Sequence, residues 1–461
     1  MAAKTKDMTK GSPFKLLLVF ALPLMVGNIF QQLYTVVDTM IVGQVLGVSA
    51  LAALGAADWL NWMLVSVVQG FTQGFSIRIA QDFGAGNAKA IRKDIAACVR
   101  LAVILALGLL LVFEMLLPTL LQLMQTPEDV IGGALLYLRI MFAGIPIVMA
   151  YNMLAAILRA FGNGKSPLYA MVVACFINIV LDIWFVAFLG WGIAGAAVAT
   201  LIAQCSSAIY CLAALRKINI GKLEKRDWES DNELNATLMK LGLPLAFQNA
   251  IICVGGMIVQ TVVNSFGMLF IAGFTAANKL YGVLEVAATS YGYAVVTYTG
   301  QNLGAGKYDR IKQGVRSALI VAVFTSAVIS ACMLIFGRDI LGLFISGTPE
   351  EIEGALQIGY RYLAIMSYCL VTLYFLYVYR SALQGLGDTI MPMLSGVAEF
   401  VMRTGAALLL PMLIGSDGIF YAEIAAWMGA DVILITAYYV RIHRLNREQK
   451  QSMDSYKSTN I

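Results

Sequence analysis

Four polar residues interrupt an otherwise apolar run: Asn28, Gln31, Tyr34 and Asp38, spaced three, three and four apart. On an α-helix that spacing puts them on one face. A carboxylate with amide, phenol and hydroxyl neighbours can hold Na⁺ through oxygen atoms. Desolvated, it can take up a proton instead. Asn178 and Asp182, four apart in a second apolar run, share a face in the same way. Asn278, Tyr281 and Glu285 form a similar stripe in a third. Glu399 and Arg403, also four apart, read as an internal ion pair rather than a ligand site. Arg139, Lys279 and Asp431 are likewise embedded among apolar residues, with no role that their neighbours define.

Other chemistries are poorly provided for. GNGKS at 162–166 contains the GKS of a phosphate-binding loop, but Arg159 stands where that loop needs its first glycine, and no strand precedes it. No HExxH or GxSxG pattern occurs. The single histidine, His443, lies in a basic stretch, and the seven cysteines (98, 175, 205, 211, 253, 332, 369) fall inside apolar runs. Their spacing suggests no metal site, so buried free thiols are expected. An intramembrane enzyme would need a nucleophile and base or metal ligands. No enzymatic role and no cofactor are expected.

The elements that position these residues follow from composition. Of 461 residues, 60% are hydrophobic and 13% charged, against roughly 25% charged in soluble domains. The apolar residues come in runs such as 16–37, 101–118, 140–158 and 318–336, each near the ~20 residues a helix needs to cross a bilayer. Backbone groups cannot go unpaired in lipid, so these runs must be helical. Spans are predicted near 15–42, 50–80, 95–118, 131–159, 167–188, 194–215, 238–264, 272–300, 314–336, 355–384, 390–411 and 418–440. The expected fold is therefore all-α, a polytopic membrane protein with twelve transmembrane helices. The first run is too long and too polar-studded for a removable signal peptide.

Basic residues cluster in alternate connections. Lys4, Lys6, Lys10 and Lys15 precede the first span, and Lys89, Arg92 and Lys93 follow the second. Arg159 and Lys165 follow the fourth, and Arg216, Lys217, Lys222, Lys225 and Arg226 the sixth. Lys307, Arg310 and Lys312 follow the eighth, Arg380 ends the tenth, and Arg441, Arg444, Arg447 and Lys450 follow the last. Arg338 is the exception. The positive-inside rule then places both termini in the cytoplasm of a bacterial plasma membrane. The net charge of +5 marks topology, and no nucleic-acid partner is expected.

The chain also repeats itself. LLVFALPLMVGN (17–28) matches LMKLGLPLAFQN (238–249), and QDFGAGN (81–87) matches QNLGAGK (301–307). TPE recurs at 126–128 and 348–350, and Gly162/Gly164 match Gly385/Gly387. Ordered matches at offsets near 220 mark a duplicated six-helix unit. Parallel repeats with substrate held between the halves are a common transporter plan. The expected division is an N-lobe (1–215), a charged linker (216–233) and a C-lobe (234–461).

ALPLMVGNIFQQLYTVVDTMIVGQVLGVSALAALG, FGAGN, YLRI…GIP, RAFGNGKSP, NIVLD and GWGIAGAAVAT, in that order, resemble the multidrug and toxic compound extrusion (MATE) family. The resemblance implies two six-helix lobes in a V, a monomer in the lipid bilayer that exports small organic cations in exchange for H⁺ or Na⁺. It places a cation-coupling site on Asp38, Tyr34, Asn178, Asp182, Thr200 and Tyr137, with Na⁺ at Asp38, Asp182 and Asn178 if that is the ion. The seventh span, GLPLAFQNAIICVGG, lacks the acidic residue that another branch carries there. Asn28, Gln31, Tyr281, Glu285 and Glu399 are substrate-facing candidates. The 22 methionines and clustered rings of the tenth span suit a promiscuous pocket for flat cations, although most such residues serve packing. The alternative is a flippase for a lipid-linked precursor. Its cavity would need many basic residues, and only Arg78, Arg139, Lys279, Arg361 and Arg403 are available.

Overall fold

The computed structural model describes residues 5–124, 126–218, 223–345 and 348–459. Of the basic topology markers, Lys4 and Lys222 lie outside the described residues. Among the described residues the chain forms fourteen α-helices and no strand. They are α1 (Pro13–Leu46), α2 (Val48–Gly84), α3 (Ala88–Leu123), α4 (Glu128–Ala143), α5 (Ile145–Ala160), α6 (Lys165–Asp182) and α7 (Gly192–Arg216). Then follow α8 (Asn232–Asn264), α9 (Met268–Gly304), α10 (Tyr308–Gly342), α11 (Pro349–Tyr368), α12 (Leu370–Gly385), α13 (Ile390–Ile414) and α14 (Ala422–Thr459). Ten helical segments are long and apolar enough to cross a membrane, and two bent pairs, α4–α5 and α11–α12, raise the count to twelve. The chain is a multi-pass membrane protein.

The fourth and tenth spans were expected to be continuous, and each is broken, by 50° and 51°. In the first break Gly144 precedes Pro146, whose ring and missing N–H interrupt the hydrogen-bond ladder. No proline marks the second. There the Ser330 hydroxyl donates to the Ser367 carbonyl at 2.6 Å, so a side chain enters the ladder from α10.

The repeated motifs fold alike. Gly86 and Gly306 both take a left-handed conformation between the α2/α3 and α9/α10 pairs (φ 71° and 68°), which a side chain would resist. The turn after α5 has its counterpart after α12: the Gly162 N–H donates to the Arg159 carbonyl, and the Gly387 N–H to that of Gln384. Gly162 therefore corresponds to Gly387, not to Gly385 as the sequence match had it. The slip arises because the second repeat is longer by three residues between the TPE motif, which recurs at an offset of 222, and this turn, which recurs at 225.

The chain divides into two compact units, residues 1–7 with 19–253 and residues 8–18 with 254–461. Phe75, Phe142, Phe161, Leu60 and Leu64 are fully buried in the first. In the second, Phe270 stacks on Phe420 (5.4 Å) and Phe274 on Tyr362 (4.6 Å), with Trp427 buried. Ile104, Leu107, Leu111 and Met115 of α3 are exposed along one helical face, as lipid requires of an outer surface. The seven cysteines are free, but only Cys98, Cys175, Cys211 and Cys253 are buried. Cys332 is exposed and Cys205 and Cys369 are intermediate, a correction: Cys332 and Cys205 stand on helices, and Cys369 lies at the break between α11 and α12.

Several basic residues do more than mark topology. Arg380 was read as the end of a span, yet it is buried in α12 and paired with Glu399. Arg92 pairs with Asp227 at 3.3 Å, and Arg100 donates to the Trp228 carbonyl at 3.0 Å. In the second unit Arg310 donates to the Gly11 carbonyl (2.9 Å) and Lys307 to that of Thr9 (2.9 Å). Arg338, the exception to the charge rule, is matched by Glu353 at 2.5 Å.

Candidate cation-binding site

Asp38 comes from the middle of α1, in the first unit. The half-buried Asn28, Gln31 and Tyr34 precede it on the same helical face. Asn178 and Asp182 come from the last turns of α6, Thr200 from α7 and Tyr137 from α4. Asp38 is 7% exposed, and Asn178 and Asp182 are wholly buried. The Asn178 amide donates to the Thr200 hydroxyl at 3.4 Å, joining α6 to α7. Asp38 and Asp182 lie within electrostatic range of each other, and Tyr34 and Tyr137 within range of both. All six coupling residues expected from the resemblance thus gather in one unit.

Asp182 ends α6, and the next six residues, Ile183–Phe188, form a π-helical turn. Such turns shift the backbone ladder and recur at functional sites. Nothing in the alternation of apolar residues announces it.

The charge balance of this cluster is its main feature. Among the described residues no arginine or lysine pairs with Asp38 or Asp182. Both Asp182 oxygens, one Asp38 oxygen and the Asn178 carbonyl oxygen are buried without a hydrogen-bond partner. An unpaired buried carboxylate costs several kcal/mol, a cost that a proton or a metal cation at the pair would offset. Their oxygens, with the Asn178 carbonyl and the Thr200 hydroxyl, are a hard donor set suited to Na⁺. A pure helix-to-helix polar contact would leave no such surplus of acceptors.

The second unit buries a different kind of cluster. Tyr377 of α12 donates to Glu285 of α9 at 2.5 Å, and Tyr281 stacks on Trp427 at 6.0 Å. Glu399 and Arg403 do not pair with one another as their spacing suggested. Glu399 takes Arg380 of α12, and Arg403 takes Glu423 of α14 at 2.7 Å. Neighbouring helices bring a closer partner to each than their own helix offers. Asp431 is 7% exposed, and one of its oxygens lacks a hydrogen bond.

Two acids escaped notice in the sequence. Glu423 opens α14. Asp58 is an exposed residue of α2 within electrostatic reach of Asp38 and Tyr137. The criterion that singled out Asp38, an ionisable residue in a membrane-length run, applied equally to Asp58.

A model of the MatE family matches residues 23–184 and 244–408. The chain is 30% identical over 369 residues to the probable multidrug resistance protein YoeA of Bacillus subtilis (strain 168), covering 78% of this chain and 79% of that one. It is 31% identical over 365 residues to the probable multidrug resistance protein YpnP of the same organism, at 78% and 80% coverage. Among solved structures, a MOP superfamily transporter from Pyrococcus furiosus superposes with a TM-score of 0.90 at 22% identity, over 97% of this chain and 99% of that one. That likeness establishes the fold.

Proposed function

The chain belongs to the MATE family of transporters, and on that premise we propose that it exports cationic amphiphilic compounds in exchange for H⁺ or Na⁺ by alternating access. One observation carries the reading: two buried carboxylates, Asp38 and Asp182, are held together with no basic partner among the described residues. The relatives named for multidrug resistance support the substrate class. The protein would sit as a monomer in a bacterial plasma membrane with both termini cytoplasmic.

A cation entering the site neutralises a pair that is otherwise costly to bury, and leaving restores the cost. The conformation that binds the cation and the one that releases it therefore differ in free energy by an amount the ion gradient can drive. α1 is the element placed to respond. It runs unbroken from Pro13 to Leu46 with Pro23 inside it, where a backbone hydrogen bond is already missing. A drug and the coupling ion that oppose one another at equilibrium must do so reciprocally.

The flippase reading loses support from the same packing. Arg78 pairs with Asp82, Arg361 with Asp417 and Arg403 with Glu423. Three of the five basic candidates for meeting a pyrophosphate are thus already neutralised.

The test is ethidium efflux from proteoliposomes under an imposed pH or Na⁺ gradient. Wild type should export dye under one of the two, naming the ion, and Asp38→Asn should lose gradient-driven export. Intact export by Asp38→Asn would sink the mechanism. If wild type moves no organic cation under either gradient, the substrate class is wrong.

A further inference from the structure

The last helix, α14, has 38 residues, or about 57 Å along its axis, against about 30 Å for the hydrocarbon core of a bilayer. Its outward face changes character along that length. Met428, Val432, Thr436, Tyr439 and Val440 are exposed on one stripe, and His443, Arg444 and Arg447 are exposed further along the same stripe. The opposite face, with Trp427, Leu434, Tyr438, Ile442 and Leu445, is buried in the second unit. The Thr436 hydroxyl donates to the Val432 carbonyl at 2.7 Å, so it asks nothing of its surroundings. The stretch from Met428 to Val440 thus suits contact with lipid chains.

The change comes at the depth where headgroups should begin. Ala422 to Val440 covers about 28 Å, and Tyr439 stands at its end, as aromatic residues do at membrane interfaces. Arg441, Arg444 and Arg447 then follow at intervals of three, neighbours on successive turns. Among the described residues no carboxylate pairs with any of them, Glu448 one turn beyond Arg444 included. Arg338, Arg361, Arg380 and Arg403 of the same unit each have an acidic partner. The Arg441 Nε is buried with no hydrogen-bond partner. A topology marker needs only positive charge, at any angle around the helix. Here two guanidinium groups continue the lipid-facing stripe, and all three residues are arginine, whose paired N–H groups match phosphate oxygens.

We propose that Arg441, Arg444 and Arg447 bind the phosphate of an anionic phospholipid whose acyl chains lie along Val432, Thr436 and Val440. A lipid, rather than a soluble polyanion, is the occupant because the basic stretch continues an apolar one on a single helical face. The chains and the headgroup of one molecule meet both parts at once. The site lies wholly within the second unit and stands independently of what the protein transports.

Native mass spectrometry of the purified protein in detergent, titrated with phosphatidylglycerol, tests the site, with phosphatidylcholine of the same chains as the neutral comparison. Wild type should bind phosphatidylglycerol about 10-fold more tightly than phosphatidylcholine. Arg444→Gln/Arg447→Gln should lose about 10-fold or more toward the anionic lipid and nothing toward the neutral one. Arg444→Lys/Arg447→Lys keeps the charge without the paired N–H groups and should fall between the two. Lys89→Gln/Lys93→Gln, at exposed lysines of α3, should bind as wild type does. An unchanged thermal melt excludes misfolding of the glutamine variant. Equal affinity of wild type for the two lipids, or wild-type affinity in Arg444→Gln/Arg447→Gln, overturns the site. An equal loss in Lys89→Gln/Lys93→Gln reduces it to bulk charge, and displacement of the lipid by millimolar inorganic phosphate makes it a site for free phosphate; either result overturns the lipid assignment.

Discussion

Asp182 is the residue on which the proposed coupling chemistry turns. It is wholly buried, and neither carboxylate oxygen has a hydrogen-bond partner. Asp182→Asn keeps the volume and removes the charge, so the cation loses its reason to bind. Gradient-driven efflux in proteoliposomes should fall to background, while the folded yield stays the same or rises, because an unpaired buried charge has gone. The ion pairs of the second unit should behave in the opposite way. Arg380→Met strands Glu399 and is expected to destabilise the protein by about 3–5 kcal/mol, and Arg380→Met/Glu399→Leu should recover most of that loss; denaturation in detergent micelles measures both. Asp38 and Asp182 were legible in the sequence because lipid makes a charge in an apolar run conspicuous, although Asp58 met the same criterion and was passed over. The partners of Glu399 and Arg403 were not legible. These two are four apart on one helix, and only packing between helices sends each to a different neighbour.

At the scale of helices, twelve spans and a duplicated unit could be read from apolar runs and repeated motifs, since run length and turn glycines are local properties. What escaped is where a run bends. A proline explains one break, but the other depends on Ser330 of a different helix reaching the Ser367 carbonyl, and the π-helical turn after Asp182 leaves no periodic trace. Helix contact distance was equally hidden. A side-chain carbon added at Gly273 of α9 would lie 2.4 Å from the Ala355 carbonyl of α11, and one added at Gly359 would lie 2.7 Å from the Gly273 carbonyl. These two glycines let the backbones of α9 and α11 touch, as small residues do in membrane interfaces. Gly273→Val should therefore cost about 1–3 kcal/mol by overpacking. Gly108→Ala, where an added carbon meets nothing within 4 Å, should be neutral or slightly stabilising. A paired thermal melt of the two variants separates close packing from the general cost of altering a helical glycine.

For the molecule as a whole, the two segments that lead into the repeats are anchored in a crossed fashion. Residues 8–11 precede the first repeat but belong with the second unit, where Met8 donates to the Gln301 side chain at 2.8 Å and Arg310 grips the Gly11 carbonyl at 2.9 Å. Residues 224–228 precede the second repeat but belong with the first unit, where Arg92 pairs with Asp227 and Arg100 with the Trp228 carbonyl. Both anchors use charged side chains of the helix that follows a repeated GAG turn, Arg92 and Arg100 of α3 in one case and Arg310 of α10 in the other. The anchors thus obey the repeat although the anchored segments share no sequence. Charge-assisted hydrogen bonds of this kind contribute about 1.5–3 kcal/mol each. Arg310→Gln should accordingly speed amide exchange at residues 8–11 by roughly 10-fold or more, with little change at 224–228. Arg92→Gln should do the reverse. Hydrogen–deuterium exchange read by mass spectrometry on the intact protein distinguishes the two. Equal loosening of both segments by either variant would mean that the anchors act as one structure, and no change in either would mean that packing of the buried Met8, not the arginine, holds the first segment in place.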